Sequence, residues 1–312
     1  MKLIKNATVI FFDLLGFSNH TKESIESTLN LLDSFDYILN EKRLDSKEIS
    51  DNFKYLIPFS DSYVIVSNET DNFIKELSNL LYRVFMLNEI LFREYNSDPN
   101  NNKKVLKQSI LLNNQGKIEK RINSEFVYPF LVRGGIAFGD VYIIKRNYIN
   151  NSEYYNCRID ITGDTYVNAV KLLENKKIKN FKKLKGPRIF FKNDFYEQIK
   201  DKRFIRKISD NIYELLWPAY IYKEENHKNY EINNNFNEIF RVAYDIWLKH
   251  KKEKYEYHYL NFMQLLIDSA VKFFNIDEDK EIAETLNNIL KKYEKKGIYF
   301  QDFQIKSRST PL

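Results

Sequence analysis

Cysteine is nearly absent: a single residue, Cys157, serves a chain of 312 residues. One thiol excludes an internal disulfide and fits a reducing compartment. Histidine is almost as scarce. His20, His227, His250 and His258 are scattered along the chain, which argues against a His-based hydrolase or a zinc site. No run of about 18 apolar residues occurs, so no membrane-spanning helix is expected. Lys2 and Lys5 precede an apolar run in the manner of a signal peptide, but Asp13 interrupts the run and no small-residue cleavage site follows. The expectation is a soluble, cytoplasmic protein. Charge of one sign is lacking too. The 49 basic and 43 acidic residues leave a net charge of +6, enough to suit an anionic ligand but short of a nucleic-acid-binding signature. There is no internal repeat.

What the chain does have is apolar and aromatic mass, 43% and 15% respectively, which makes it globular with a substantial core. Its most informative stretch is TVIFFDLLGF, residues 8–17. The apolar run reads as a strand buried on both faces, ending at one carboxylate, Asp13. A charge there costs several kcal/mol (about 2–7 for a polar group, more for an ion) unless it is paired, and a metal ion is the expected partner. Gly16 lets backbone amides approach a phosphate. A plain turn-capping aspartate is the alternative.

Downstream, Ile25, Leu29, Leu32, Phe35 and Ile38 recur at helical spacing to about residue 43. Residues 54–67 read as two strands hinged at Ser60-Asp61-Ser62, and Phe73, Leu77, Leu80, Leu81, Val84, Phe85 and Leu91 as a second amphipathic helix. Residues 95–103 form a polar loop, and Lys107 to Asn123 an excursion off the domain. Residues 126–145 read as a strand pair broken at Gly139-Asp140, and the doublet Gly134-Gly135 implies that something comes close to the backbone. A polar loop over 147–157 leads to a third helix from about Asp164. Residues 187–191 and 212–217 read as later strands. The basic run Lys176 to Lys185 is expected to be a solvated loop rather than a nucleic-acid contact. From about 233 the chain turns helical, with a last segment, IYFQDF, expected as an edge strand. The order β-α-β-β-α-β-β-α-β-β fits an α+β fold built on a ferredoxin-like palm with a helical C-terminal extension. The best boundary lies at 222–237, giving a catalytic palm over 1–220 and a mainly helical extension over 221–312.

Four pieces carry chemistry. Asp13 and Asp61, at the ends of neighbouring strands, are a common way to hold two Mg²⁺ ions, which take one or two carboxylates plus substrate phosphate oxygens. Arg133, beside paired glycines, either forks onto phosphate oxygens or makes a structural ion pair. Gly163 precedes a helix whose N-terminus favours an anion.

In this order, FFDLLGFS, the SDS hairpin, RGGIAFGDV and GDTYVNAVKLLE resemble the class III nucleotidyl cyclases over roughly residues 7–217. The resemblance implies a nucleoside triphosphate substrate, two divalent cations (Mg²⁺ or Mn²⁺) and a homodimer with its active sites at the interface. It places the metals on Asp13, Asp61 and the backbone at Leu14. It places substrate contacts at Leu15, Gly16, Phe17, Ile57, Phe59, Arg133, Asp160 and Lys207. In-line attack of the ribose 3′-oxygen on the α-phosphate, with metals lowering the pKa of that hydroxyl, needs no dedicated protein base.

The departures are as informative. Without a gap from Gly163, the family's Asn and transition-state Arg fall on Val167 and Lys171; aligning Asn168 to the Asn instead puts Leu172 at the Arg position. Either way the arginine is missing, and Lys171 offers a point charge in place of a planar fork. The family's purine-reading Lys or Glu is Ile57 here, while its partner position, Asp160, accepts a proton from cytosine or adenine, or from N3 of uracil. Ile57 and Phe59 as pocket walls favour a smaller base. FFDLLGFS, SDS and RGGI also look like the pyrimidine cyclases of the bacterial anti-phage Pycsar group. That resemblance implies cyclic CMP or cyclic UMP as a second messenger read by a separate effector. An atypical adenylate cyclase and a catalytically inactive nucleotide-binding homologue are the alternatives.

Overall fold

A computed structural model describes residues 1–15, 53–59, 61–97, 107–112, 118–123, 131–149, 155–174, 186–222, 236–249, 256–294, 298–301 and 303–307. The helix expected before residue 43, the basic run at 176–185 and most of the 222–237 linker lie outside the described residues.

Strand β1 (Lys2–Leu14) is the axis of the molecule. It pairs antiparallel with β3 (Ser62–Ser67), which forms a hairpin with β2 (Tyr55–Phe59). On its other side it pairs antiparallel with β6 (Val132–Ile149). The spatial order β2-β3-β1-β6, every neighbour antiparallel, is that of a ferredoxin-like palm. Helix α1 (Asp71–Ser97) connects β3 towards β6, and residues 95–97, expected as loop, are its last turn.

A two-stranded hairpin of β4 (Lys107–Leu112) and β5 (Ile118–Asn123) stands in a sheet of its own, as an excursion should. The strand pair expected over 126–145 is instead one long strand, β6. The Gly139-Asp140 break is a bulge in the ladder: Lys5 and Asn6 oppose Asp140 alone. Gly139 takes φ +148° and Asn6 φ 51°, and the Asn6 amide donates to Asp140 Oδ1 at 3.1 Å.

The second half of β6 pairs with β7 (Tyr155–Thr162), part of which was expected as loop, and α2 (Asp164–Glu174) follows directly. Gly163 makes that corner at φ +125°, a region open to glycine at no cost. Beyond β6 the sheet continues through β8 (Ile189–Lys192), parallel to β6. The short helix α3 (Asn193–Tyr196) leads to β9 (Ile205–Ser209) and β10 (Ile212–Leu215), and the order ends β8-β10-β9. After a 3₁₀ turn at Trp217–Tyr220 come α4 (Asn237–Lys249), α5 (Glu256–Phe273) and α6 (Lys280–Glu294). The last segment does not join the main sheet. β11 (Ile298–Gln301) and β12 (Gln304–Ser307) form a separate hairpin.

The side-chain period of two divides β1 between two cores. Ile10, Phe12 and Leu14 enter the larger, with Tyr63 and Ile65 of β3 and the apolar face of α1. The C-terminal helices share that core, through contacts such as Phe85 on Phe262 (4.5 Å between ring centres) and Trp217 stacked on Phe262. Ala7 and Val9 enter the smaller core with Val64, Val66, Ala137 and Ala169 of α2. Ile4 joins this second core because the bulge flips the alternation between it and Ala7.

One polar cluster is buried around β10 and ties the sheet to α5. Glu214 of β10 has no exposed surface; Arg188 Nη2 donates to it at 2.9 Å and Arg206 Nη2 at 2.6 Å. Arg206 also donates to Asp268 of α5, which accepts from Gln264 at 2.7 Å. Gln264 in turn donates to the Phe303 carbonyl and accepts from the Ile305 amide, tying the last hairpin to α5.

Candidate functional site

The strand registers line up four residues across the sheet. Phe59 faces Ser62, Ser62 faces Asp13, and Asp13 faces Arg133. Directly cross-strand residues share a face, so an aromatic ring, a hydroxyl, a carboxylate and a guanidinium stand side by side on the α2 side. The next level in is Ile57, Val64, Phe11 and Gly135, and it is apolar throughout.

Gly135 explains how α2 comes to lie here. A Cβ at that position would meet the Ala169 carbonyl oxygen at 2.3 Å and Leu172 Cβ at 2.8 Å. What approaches Gly135 is thus the chain's own helix, while a Cβ on Gly134 would meet Ile189 Cδ1 at 2.9 Å. From it Tyr166 reaches back over Phe11 (ring centres 6.3 Å apart, edge-on) and Phe59 (6.4 Å, near-parallel), closing the apolar level beneath the polar one.

Asp13 is the centre of the charge arrangement. Arg133 Nε and Nη2 donate to its Oδ2 at 3.1 and 2.9 Å, and Ser62 Oγ makes a weak 3.5 Å contact to Oδ1. Of the two expectations for Arg133, the ion pair is the one observed. Burial pushes the Asp13 carboxyl above its ordinary value of 3.8; Arg133 pulls it down, and the charge of Asp61 pushes it up again. The backbone brings Asp61 alongside, since its carbonyl accepts from the Leu14 amide at 3.1 Å while the Leu15 amide donates to the Leu131 carbonyl at 2.8 Å.

This donor set fits a divalent cation. Asp13 is a desolvated carboxylate whose charge one exposed guanidinium only partly offsets, and Asp61 adds a second set of hard oxygens. Among the described residues no group of three or more His, Cys, Asp or Glu side chains converges, so water and phosphate oxygens would complete any coordination shell. Leu14 has its side chain in the large core and offers only backbone, and Leu15 packs against the same core. Gly16 and Phe17 lie outside the described residues.

The other expected residues stand apart from this row. Ile57 is 3% exposed and backs Phe59 from the interior, so it does not wall an open pocket within the protomer. Asp160 sits between Ile159 and Ile161, both of which pack into the α2-side core, so alternation turns it to the opposite face. Lys207 is exposed on β9, 3.7 Å from Asp210 and four strands from β1, about 19 Å at ~4.8 Å per strand. On α2, Ala169 and Leu172 are buried against the sheet, Asn168 is half-buried at the flank, and Val167 and Lys171 share the exposed outer face one turn apart.

Ser62 and Tyr166 also belong to this candidate site, through their contacts with Asp13 and Phe59, and neither stood out in the sequence as a site residue. Ser62 was legible as the second serine of the hairpin. Tyr166 was legible as a bulky ring at the first turn of a helix that must approach a glycine.

No family model matches the chain, and no curated protein matches it. Among solved structures it is similar to the catalytic core of a rhodopsin-guanylyl cyclase with converted specificity in complex with ATPαS. That match has TM-score 0.38 and 14% identity, and covers 69% of this chain and 96% of the other. It is similar to a bacterial light-regulated adenylyl cyclase at TM-score 0.37 and 13% identity, over 69% of this chain and 91% of that one. It is also similar to a class III adenylyl cyclase-like ATP-binding protein from Pseudomonas aeruginosa, at TM-score 0.34 and 15% identity. There the match covers 96% of this chain and 46% of the other. All three likenesses are distant. What the strand order itself defines is an α+β protein with a ferredoxin-like palm.

Proposed function

We propose that this chain is a metal-dependent nucleotidyl cyclase, converting a nucleoside triphosphate to its 3′,5′-cyclic monophosphate and pyrophosphate. The observation that carries the reading is the cross-strand row Phe59–Ser62–Asp13–Arg133 with Asp61 at the adjoining turn. Two carboxylates and a guanidinium at the open end of one sheet face suit a cation–polyphosphate pair, and the apolar level beneath them excludes water from below. Divalent ions (Mg²⁺ or Mn²⁺) held by Asp13 and Asp61 would supply Lewis acidity to the attacking hydroxyl and neutralise charge at the phosphates. Arg133 offers a planar two-donor fork to a phosphate. Asp61 stays fixed relative to Asp13 through the Leu14 amide.

The exposure of Lys171 and Val167, against the burial of Leu172, favours the ungapped reading in which Lys171 takes the place of the family's arginine. Neither Lys171 nor Lys207 lies in the Asp13 row of its own protomer, which supports a homodimer. One copy supplies Asp13, Asp61 and Arg133, and the other supplies Lys171, Asp160 and Lys207. Residues 1–220 form the catalytic unit in this reading, and residues 221–312 a packing layer.

For the base we favour a pyrimidine, cytosine or uracil, with the product serving as a second messenger in anti-phage defence. The support is the resemblance of FFDLLGFS, SDS and RGGI, with Asp160 as acceptor. Exposed Val167 where the family has Asn favours a second reading, a nucleotide-binding homologue without turnover.

The test is incubation with Mn²⁺ or Mg²⁺ and each of the four NTPs, with products read by mass spectrometry. Cyclic CMP or cyclic UMP is the expected product. Cyclic AMP would transfer the chain to the adenylate cyclases. Metal-dependent triphosphate binding without any cyclic product, in the purified protein and in phage-infected lysate alike, would establish the second reading.

A further inference from the structure

The geometry points to Arg133 as a latch on the metal ligand: its guanidinium holds Asp13, a chelated cation and Arg133 compete for that carboxylate, and an incoming polyphosphate draws Arg133 away. This rests on the reading of Asp13 as a cation ligand but on no particular nucleotide. Arg133 lies directly opposite Asp13 on the neighbouring strand, and two of its donors converge on one oxygen, Oδ2. Ser62 reaches only Oδ1, at 3.5 Å, and too weakly to replace the guanidinium. A cation chelated by both Asp13 oxygens must therefore displace both Arg133 hydrogen bonds from Oδ2.

The guanidinium is free to leave. Its side chain is 46% exposed against 19% for Asp13, and of its two neighbours along β6, Val132 turns into the large core and Gly134 has no side chain. Once released, it needs a new anion, and a phosphate group accepts the same two-donor fork. The latch thus makes cation entry and polyphosphate entry mutually favourable. It keeps a half-buried carboxylate partnered when neither is present.

Isothermal titration with Mn²⁺ alone, and with inorganic pyrophosphate in metal-free buffer, tests this without any nucleotide. A partly exposed ion pair of up to ~1 kcal/mol corresponds to about fivefold in affinity. Arg133→Ala is expected to bind Mn²⁺ alone about fivefold more tightly than the native chain and to lose metal-free pyrophosphate. Asp13→Asn is expected to bind metal-free pyrophosphate about fivefold more tightly, because Arg133 is released. Asp61→Asn removes a nearby negative charge without freeing Arg133, and is expected to gain clearly less.

Two results overturn the latch. One is Arg133→Ala binding Mn²⁺ no better than the native chain, whether both bind or neither does. The other is Asp61→Asn gaining as much pyrophosphate affinity as Asp13→Asn, which would leave only a field effect. Neither result depends on turnover, so a chain that cyclises no NTP can still pass, and an active cyclase can still fail.

Discussion

The two faces of the central sheet are built for different ends. On one, Phe12, Tyr63, Phe85 and Phe262 pack into a core shared by α1 and the three C-terminal helices. On the other, one 11-residue helix lies over a glycine, and the outermost level of side chains is polar. The same strand serves both, Phe12 facing one way and Asp13 the other. The α2 face keeps a desolvated carboxylate, Asp13, that costs the fold something.

Substitutions on each face should separate these roles. The largest loss of stability is expected from Glu214→Ala. It leaves Arg188 and Arg206 without their buried partner, a change of about 3–5 kcal/mol by analogy with broken buried ion pairs. Thermal or urea unfolding measures it. An unchanged midpoint would mean that the cluster contributes nothing to holding the helical layer.

Gly135→Ala comes next. Its Cβ cannot coexist with the Ala169 carbonyl, so α2 must lift, at about 1–3 kcal/mol for an overpacked contact. Lifting α2 also moves Tyr166 off Phe59, so turnover should fall together with stability.

Asp13→Asn should act in the opposite sense on the fold. The folded chain holds the Asp13 proton more tightly than the unfolded chain does. As pH rises from the ordinary value of 3.8 through the raised one, the native protein therefore loses stability, and that loss persists at neutral pH. The Asn variant should melt above the native protein at pH 7, with the difference vanishing once both states are protonated below 3.8. Melting curves at the two pH values check this. A lower melting temperature at pH 7 would show that the Arg133 pair outweighs desolvation.

Lys171→Ala, on the outer face of α2, should leave stability within about 0.5 kcal/mol of native. Its expected effect is on kcat more than on KM. A change confined to KM would make Lys171 a ground-state contact.

Much of this was legible in the sequence for identifiable reasons. β1, the β2–β3 hairpin, α1 and α2 have strong periodicity and clear turn residues, so their positions followed. Asp13 and Asp61 stood out as carboxylates at the ends of apolar strands. The single long β6 was not legible, because Gly139-Asp140 looks the same as a turn or as a bulge; only pairing with β1 decides. Pairing likewise set the Asp13–Arg133 contact, which joins residues 120 positions apart. The Glu214 cluster was invisible because its four charged members are spread over 188–268 and no local pattern marks any of them as buried. Lys207 and Asp160 were placed near the site by resemblance alone. The protomer carries them elsewhere, one at the far edge of the sheet and the other on its opposite face.

The measurement that bears most directly on this division is cyclic-nucleotide formation by Asp13→Asn protein that has first been shown to melt no lower than the native chain. With Mn²⁺ and each NTP in turn, the native protein should yield one cyclic monophosphate and the variant none. Product from the variant at the native rate would contradict the assignment of the Asp13 row as the active site.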